Sequence, residues 1–139
     1  MPRTIKAGII GTGFIGPAHV EALRRLGNVD VIAVAEANQE LADAKAEAMS
    51  IPRAFGDYKE LLEDAEVQVL HNCTPNHLHF QINKDILAAG KHVVSEKPLA
   101  MNTQESSELV KLAKESGKIN AVNFNYRFYP LTQQARAMV

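Results

Sequence analysis

The chain has 139 residues, 46% of them hydrophobic and 22% charged, which is the composition of a globular domain of ordinary size. Its 15 Lys and Arg residues are balanced by 16 Asp and Glu residues, and without a basic surplus we expect no nucleic-acid partner. The one cysteine, Cys73, excludes an internal disulfide bond and favours a reducing compartment, so we expect a cytoplasmic protein.

Short apolar runs alternate with longer segments of helical period along the chain. Near-continuous apolar runs are typical of strands that are buried on both faces of a parallel sheet. None of them approaches the roughly 18–20 residues that a membrane span requires, so we expect no membrane insertion. The alternation predicts an α/β fold, a doubly wound parallel sheet with helices on both faces. The predicted strands are 5–10, 31–35, 67–73, 92–95 and 119–124, and the predicted helices are 14–26, 39–49, 77–89 and 103–116.

Several helix ends carry local signals. The spacing of Asn102 to Glu105, and of Asp57 to Glu60, is that of a capping box. A glycine follows three of the helical segments, at positions 27, 90 and 117, where a left-handed residue would end a helix. Residues 131–139 are predicted to begin another helix, with Pro130 near its start, and no terminating signal follows them. We therefore expect the chain to be a fragment.

A glycine-rich turn, G-T-G-F-I-G, lies directly after the first predicted strand and opens the first predicted helix. Gly11 permits a tight turn, Gly13 lets the backbone approach a pyrophosphate, and Gly16 permits close packing of the helix on the strand. The N–H groups at the start of the helix would then hold the phosphates. The turn predicts a dinucleotide site formed by Gly11, Thr12, Gly13, Phe14, Ile15 and Gly16.

Glu36 follows the second predicted strand, twenty residues after Gly16. At that distance its carboxylate is placed to accept hydrogen bonds from both ribose hydroxyls of an adenosine. It would repel the 2′-phosphate of NADP, and residues 37–39 contain no Arg or Lys to offset that repulsion. The sequence therefore favours NAD over NADP as the cofactor, unless a more distant Arg or Lys reaches the phosphate.

Three histidines and Cys73 fall within residues 71–79, which raises the question of a metal site. A strand would place His71 and Cys73 on the same side. Their spacing matches no structural zinc pattern, however, and we predict no metal. Thr74-Pro75-Asn76 instead predicts a strand-to-helix loop in which Asn76 caps the next helix. We expect this segment to line the crevice at the carboxyl ends of the strands, where open α/β sheets bind their ligands.

Ser95-Glu96-Lys97-Pro98 follows the strand predicted over 92–95, so Lys97 also lies at the carboxyl edge of the sheet. A lysine that is partly desolvated there could donate or accept a proton near neutral pH. A solvated surface lysine is an equal alternative on spacing alone, because most lysines are of that kind.

In their order along the chain, these motifs resemble the Gfo/Idh/MocA oxidoreductases, which include glucose–fructose oxidoreductase and inositol dehydrogenase. The Glu-Lys-Pro and Thr-Pro-Asn-x-x-His motifs are more specific than the glycine turn. The resemblance implies an N-terminal Rossmann domain that binds a nicotinamide cofactor, and a second α/β domain whose large open sheet provides substrate binding and oligomer contacts. The segments that carry it are 11–16, Glu36, 74–79, 96–98 and 123–130, so it extends over nearly the whole chain.

The resemblance also implies residue roles. Lys97 would be the catalytic lysine, hydrogen-bonded to the reacting hydroxyl or carbonyl, and Glu96 would help position the nicotinamide end of the cofactor. The Lys97–Pro98 peptide bond would be cis. The other residues expected along the cofactor are Cys73, Thr74, Pro75, Asn76, His79, Asn123 and Arg127.

We expect a Rossmann domain over residues 1–125 and the start of a connection over 126–139. Members of the family are usually more than twice as long, and their second domain carries a catalytic Asp-x-x-x-His pair with no counterpart in this sequence. That domain, and a homo-oligomer formed through it, would then belong to the full-length protein, and the chain alone would be an incomplete catalyst.

Together these inferences predict an NAD-dependent dehydrogenase that transfers hydride between nicotinamide and a secondary alcohol of a sugar, an inositol or a related polyol. A non-enzymatic NAD(P)-binding or regulatory module is one alternative. The presence of Lys97 after Glu96 argues against it, because binding alone does not need this lysine. An NAD-assisted glycoside hydrolase of the same family is another alternative.

Overall fold

Strands and helices alternate along the computed structural model of the chain, which describes residues 4–139. In chain order the elements are β1 (Ile5–Ile10), α1 (Gly16–Arg24), β2 (Val29–Ala35), α2 (Gln39–Ala48), β3 (Arg53–Phe55), α3 (Tyr58–Glu63), β4 (Val69–Asn72), α4 (His79–Ala88), β5 (His92–Ser95), α5 (Thr103–Ser116), β6 (Asn120–Val122) and α6 (Pro130–Met138). Two 3₁₀ turns, Asn76–Leu78 and Asn125–Phe128, precede α4 and α6. The strands form one parallel sheet in the order β3-β2-β1-β4-β5-β6, which confirms the predicted doubly wound fold of the Rossmann type.

The two faces of the sheet carry separate hydrophobic cores. Because successive side chains of a strand point to opposite faces, Ile9 and Ile10 of β1 belong to different cores. Ile9 packs with Val20 of α1 and with α2, whereas Ile10 packs with Ile86 of α4 and with α3. This burial on both sides explains why β1 and the end of β2 are nearly continuous apolar runs.

The strand order reverses beside β1, which pairs with β2 on one side and with β4 on the other. In open α/β sheets a crevice forms at such a point, outside the carboxyl ends of the strands. Gly11 directly follows β1, Cys73 directly follows β4, and Glu36 directly follows β2. The topology therefore brings together at one edge the segments in which the sequence placed its candidate site.

Sequence reasoning missed β3 and α3. The strand has only three residues, none fully buried, and the helix has six, so neither is long enough to show a clear period. The capping spacing at Asp57 was a true sign of a helix start, because the Asp57 carboxylate accepts a hydrogen bond from the N–H of Lys59 at 2.9 Å.

The ends of other elements also differ from the predictions. The strand predicted over 119–124 is shorter, and α4 begins at His79 after the 3₁₀ turn, so the prediction that Asn76 caps this helix is wrong. Asn76 lies inside that turn, and no side-chain cap is found among the described residues at either start. The cap at Asn102 is confirmed, with its side chain accepting from the N–H of Glu105 at 2.9 Å. Glycines 27, 90 and 117 all adopt positive φ, as their positions require.

The helix predicted to begin near Pro130 is present as α6, and its side chains are exposed. Among the described residues, none of the helices has the length and apolar character of a membrane span. The division into a domain over 1–125 and a connection over 126–139 stays a prediction, and its first three residues lie outside the described range.

Candidate active site

A groove of about 840 Å³ lies at the carboxyl edge of the sheet, a size suited to a dinucleotide or another ligand of similar bulk. It is bounded by the loops that follow β1, β2, β4 and β5 and by the 3₁₀ turn before α6. The predicted site residues that line it are Gly11, Gly13, Phe14, Ile15, Glu36, Cys73, Thr74, Pro75, Asn76, His79, Glu96 and Lys97.

The glycine turn has a distinct geometry at each glycine. Gly11 has a φ of +84°, and a Cβ there would meet the backbone of Cys73 at 3.0 Å. A Cβ on Gly16 would lie 2.4 Å from the carbonyl oxygen of Gly11, so α1 can pack against the turn only with glycine there. Gly13, in contrast, is exposed, and a Cβ on it would have nothing within 4 Å among the described residues. The open space at Gly13 leaves the backbone accessible to a ligand.

The N-terminus of α1 is free to bind an anion. Ile15 is its N-cap residue, and within residues 4–139 no side chain caps this end of the helix. Pro17 has no N–H, and the N–H groups of Ala18 and His19 donate to the Ile15 carbonyl oxygen, so the Gly16 N–H and the positive end of the helix dipole are what favour a phosphate here. The fit of a pyrophosphate here thus rests on the uncapped helix and on the open space at Gly13.

Glu36 is tied to the same turn. Its carboxylate accepts a hydrogen bond from the backbone N–H of Thr12 at 2.5 Å and another from the Thr12 hydroxyl. Thr12 is fully buried, whereas Glu36 is half-buried and faces the groove. The neighbouring polar side chains are engaged in the local fold: Asn38 caps α2, and the side-chain oxygen Oε1 of Gln39 accepts from the N–H of Gly56. Glu36, the acid that follows β2, therefore faces the groove in a fixed orientation.

The loop that follows β4 is hydrogen-bonded to a buried amide side chain, that of Asn72. The Asn72 side chain donates to the Asn83 side chain at 2.9 Å and accepts from the Thr74 hydroxyl at 2.6 Å. Cys73 beside it is buried, and burial together with the charge of Glu96 raises the pKa of its thiol to about 12. The thiol therefore stays protonated and contributes shape rather than reactivity. Among residues 4–139 no three His, Cys, Asp or Glu side chains are grouped so as to hold a metal.

His79 connects two loops of the groove. It is 1% exposed, its Nδ1 lies 2.6 Å from the carbonyl oxygen of Pro98, and its Nε2 lies 2.8 Å from that of Thr74. Both ring nitrogens are thus directed at backbone carbonyls, which can only accept hydrogen bonds. His79 therefore links the loop after β4 to the loop after β5.

Glu96 and Lys97 directly follow β5 and line the groove. The Glu96 carboxylate is 5% exposed and accepts from Asn123 at 2.6 Å, from His19 at 3.0 Å and from the backbone N–H of Lys97 at 3.2 Å. Burial raises its pKa, but these hydrogen bonds outweigh that effect and hold the pKa below its usual range, so the carboxylate is ionised at neutral pH. The Lys97 ammonium lies 3.8 Å from it, and the peptide bond to Pro98 is cis, as the resemblance implied.

Thr12 and Gly16, buried in the glycine turn, do not line the groove, and two other predicted residues, Asn123 and Arg127, lie away from the groove surface. Asn123 lies beneath it and donates to Glu96, whereas Arg127 is exposed and its guanidinium lies 5.7 Å from the Phe128 ring. Neither is among the groove-lining residues, so a direct contact of Arg127 with a cofactor stays a prediction.

Sequence reasoning also missed residues that the fold brings to the site. His19, three residues after Gly16, is buried against Glu96, and the spacing of three within a helix could have indicated a shared face. Asn125 lines the groove, and its Oδ1 is buried without a hydrogen-bond partner among the described residues. Tyr58 and Tyr126 line it as well, and no local signal pointed to either.

The chain is similar to known dehydrogenases in sequence. A family model described as an oxidoreductase family with an NAD-binding Rossmann fold, Gfo/Idh/MocA, matches residues 5–124. Levoglucosan dehydrogenase of Pseudarthrobacter phenanthrenivorans is 32% identical over 145 aligned positions, which cover 99% of this chain and 37% of that protein.

Solved structures agree with this similarity. An NAD binding oxidoreductase from Klebsiella pneumoniae matches with a TM-score of 0.91 and 35% identity, over 97% of this chain and 38% of that one. Levoglucosan dehydrogenase in complex with NADH and levoglucosan matches with a TM-score of 0.91 and 32% identity, over 97% and 39%. The 3-ketoreductase KijD10 from Actinomadura kijaniata, in complex with TDP-benzene and NADP, matches with a TM-score of 0.90 and 28% identity, over 98% and 43%. The chain thus spans less than half the length of each relative.

Proposed function

The chain belongs to the Gfo/Idh/MocA oxidoreductase family, and from that premise we propose that it is the cofactor-binding part of an NAD-dependent dehydrogenase. The reaction would transfer hydride between nicotinamide and a secondary alcohol of a sugar, an inositol or a related polyol. One observation carries the proposal: Lys97, whose ammonium group lies 3.8 Å from the ionised Glu96 carboxylate, faces the same groove as the glycine turn and Glu36. A module that only bound a nucleotide would have no use for a lysine oriented in this way.

The residues of the groove divide into those that would bind the cofactor and those that would act on the substrate. Backbone N–H groups of the glycine turn, with that of Gly16 at the start of α1, would hold the pyrophosphate, and Glu36 would accept hydrogen bonds from the adenosine ribose. When bound, the nicotinamide supplies the hydride chemistry. The Lys97 amine would hydrogen-bond to the reacting oxygen, giving it a proton in reduction and taking one in oxidation.

The preference for NAD over NADP rests on electrostatics. A 2′-phosphate on the ribose would come close to the Glu36 carboxylate, and the two negative charges would repel each other. Thr12 donates two hydrogen bonds to that carboxylate and so restrains it from turning away. The relatives differ on this point, since one is described with NADH and another with NADP. The proposal for this chain therefore depends on its own Glu36.

A sugar or polyol substrate is supported by the ligands of one relative. Levoglucosan dehydrogenase is recorded with levoglucosan and with L-sorbose. A second domain and a homo-oligomer formed through it would complete the substrate site, and a cytoplasmic location would follow from the reduced Cys73. These statements extend the proposal to the whole protein.

Calorimetric titration of the chain with NADH and with NADPH tests the cofactor assignment. We expect NADH to bind more tightly by about tenfold or more, corresponding to about 1.4 kcal/mol. Glu36→Ala should weaken NADH binding and narrow the difference in affinity between NADH and NADPH. Glu40→Ala, at an exposed position of α2, should change neither the NADH affinity nor that difference. Failure of both nucleotides to bind below millimolar concentrations, or tighter binding of NADPH, would contradict the assignment.

The role of Lys97 is tested by turnover. With a panel of sugars and inositols, the full-length enzyme should reduce NAD, and Lys97→Ala should lower kcat by about 10²–10⁴-fold, the range for loss of a general acid or base. Lys59→Ala, in α3 outside the groove lining, serves as the matched control. Turnover of Lys97→Ala close to that of the unaltered enzyme would remove the catalytic assignment.

A further inference from the structure

A polar cluster, buried except for its half-buried asparagine, lies next to Lys97. It consists of Glu96, His19, His71 and Asn123, which we call the Glu96 cluster. Each member comes from a different part of the fold: His19 from α1, His71 from β4, Glu96 from the end of β5 and Asn123 from the end of β6. The cluster therefore joins the helix expected to bind the pyrophosphate to the loop that carries the lysine.

The two carboxylate oxygens of Glu96 have separate partners. Oε1 accepts from His19 Nε2 at 3.0 Å and from Asn123 Nδ2 at 2.6 Å. Oε2 faces Lys97, accepting from its backbone N–H at 3.2 Å and lying 3.8 Å from its ammonium group. The donors on Oε1 therefore determine the orientation in which Oε2 is presented to the lysine.

Protons can be assigned along the cluster. Because Glu96 is ionised and can only accept, the Nε2 atom of His19 carries a hydrogen, and the Asn123 amide, 3.2 Å from that nitrogen, donates to Glu96 Oε1 instead. The other ring nitrogen of His19, Nδ1, lies 2.8 Å from Nδ1 of His71, and that contact needs one further hydrogen between the two rings. Burial, and secondarily the charge of His19, lower the pKa of His71 to about 4, so His71 is neutral at pH 7. Both ring nitrogens of His19 are thus occupied, and its ring is fixed.

We propose that His19 is a positioning residue for Lys97: its imidazole orients the Glu96 carboxylate that holds the lysine, and His71 in turn holds the imidazole. What Lys97 does in this scheme rests on the proposed function. The link from His19 to Lys97 does not, because it can be measured on the chain without cofactor or substrate. His19 is 8% exposed and does not line the groove, so it acts through Glu96 rather than on a ligand.

Two substitutions of His19 separate its contacts. In His19→Gln the amide nitrogen reaches the place of Nε2 and can still donate to Glu96, whereas in His19→Asn it reaches only the place of Nδ1, next to His71. Hydrogen exchange of the Lys97 amide, which donates to Glu96, is the readout. We expect exchange about tenfold faster in His19→Asn and within about twofold of the unaltered chain in His19→Gln. The amide of Ile9, in the middle of β1, reports global stability and should exchange at an unchanged rate in both variants.

An equal Lys97 exchange rate in the unaltered chain and in His19→Asn would overturn the proposal, and so would a parallel rise at Ile9. If His19→Asn does not fold, the unaltered chain still decides the matter. Nitrogen-15 NMR of labelled histidine should show a protonated Nε2 on His19 at pH 7, and an unprotonated Nε2 would overturn the link to Glu96.

Turnover in the full-length enzyme distinguishes this proposal from the proposed function. We expect His19→Asn to lower kcat by about tenfold or more while its NADH affinity stays within about twofold of that of the unaltered enzyme. His19→Gln should retain most of the unaltered kcat. If Lys97→Ala leaves turnover unchanged, the proposed function fails, whatever the exchange rates show. If Lys97→Ala abolishes turnover but His19→Asn does not lower it, the positioning role of His19 fails alone.

Discussion

The Glu36 carboxylate receives two hydrogen bonds from a single residue, Thr12: one from the backbone N–H at 2.5 Å and one from the side-chain hydroxyl. Thr12 is the second residue of the glycine turn, so the turn that would hold the phosphates also orients the acid that would hold the ribose. The two features that indicate a dinucleotide are thereby one structural unit, although 24 positions separate these residues in the sequence.

Thr12→Val removes the hydroxyl while keeping the shape of the side chain. We expect weaker NADH binding, by about three- to tenfold, and a smaller preference over NADPH, because Glu36 loses one restraint and can turn away from a 2′-phosphate. Calorimetry with both nucleotides measures this. Thr12→Ser keeps the hydroxyl and should retain the preference for NADH over NADPH. An equal loss of this preference in both variants would mean that the hydroxyl does not orient Glu36.

Alanine substitutions at Gly16 and Gly13 should have opposite effects. A methyl group at Gly16 would lie 2.4 Å from the Gly11 carbonyl oxygen, and we expect a loss of about 1–3 kcal/mol in the free energy of unfolding. The methyl group of Gly13→Ala would have nothing within 4 Å among the described residues. The free energy of unfolding should therefore change by less than about 0.5 kcal/mol while NADH affinity falls. Urea unfolding and NADH titration of the two variants measure both quantities. Loss of stability at Gly13, with NADH affinity retained, would contradict its assignment to the ligand side.

Replacing His79 by Phe keeps a ring in the core but leaves the carbonyl oxygens of Thr74 and Pro98 without their partner. An unsatisfied buried acceptor costs about 1–3 kcal/mol, and we expect a loss of stability in that range. Urea unfolding measures it, with His77→Phe as a control, because His77 is exposed in the same turn region. Equal stability of the two variants would show that His79 does not tie the loops together.

The stability of the chain should fall between pH 6.5 and pH 4 through His71. Its pKa is lowered from 6.5 to about 4 in the folded chain, so in this interval the unfolded chain binds the additional proton. The stabilisation by neutral His71 is fully present above pH 6.5 and is lost as the pH falls. The free energy of unfolding should be lower by about 3 kcal/mol at pH 4 than above pH 6.5. Urea unfolding across this range measures the slope, and His71→Gln, which does not titrate there, should reduce it. The same slope in both chains would contradict a neutral buried His71.

Local chemistry made much of the site predictable from sequence. Gly11 is favoured by its positive φ and Gly16 by its closeness to the Gly11 carbonyl oxygen, which are both local to the turn, and the distance from Gly16 to Glu36 is set by one helix and one strand. The cis bond before Pro98 was expected from the resemblance in its motif, and it is present. Asn76 shows the limit of such reasoning, since a residue type suited to capping lies within a 3₁₀ turn.

What the sequence by itself determined is the alternation of strands and helices apart from β3 and α3, the glycine turn, the acid after β2 and the lysine after β5. Only the tertiary structure decided that His19 and Asn123 contact Glu96, that His71 contacts His19, and that His79 joins two loops. His19 and Glu96 are 77 positions apart, and His19 and Asn123 are 104. Periodicity and capping depend on neighbours within a turn or two, whereas these contacts depend on how the strands are ordered in the sheet, and that order is set by the packing of the whole domain.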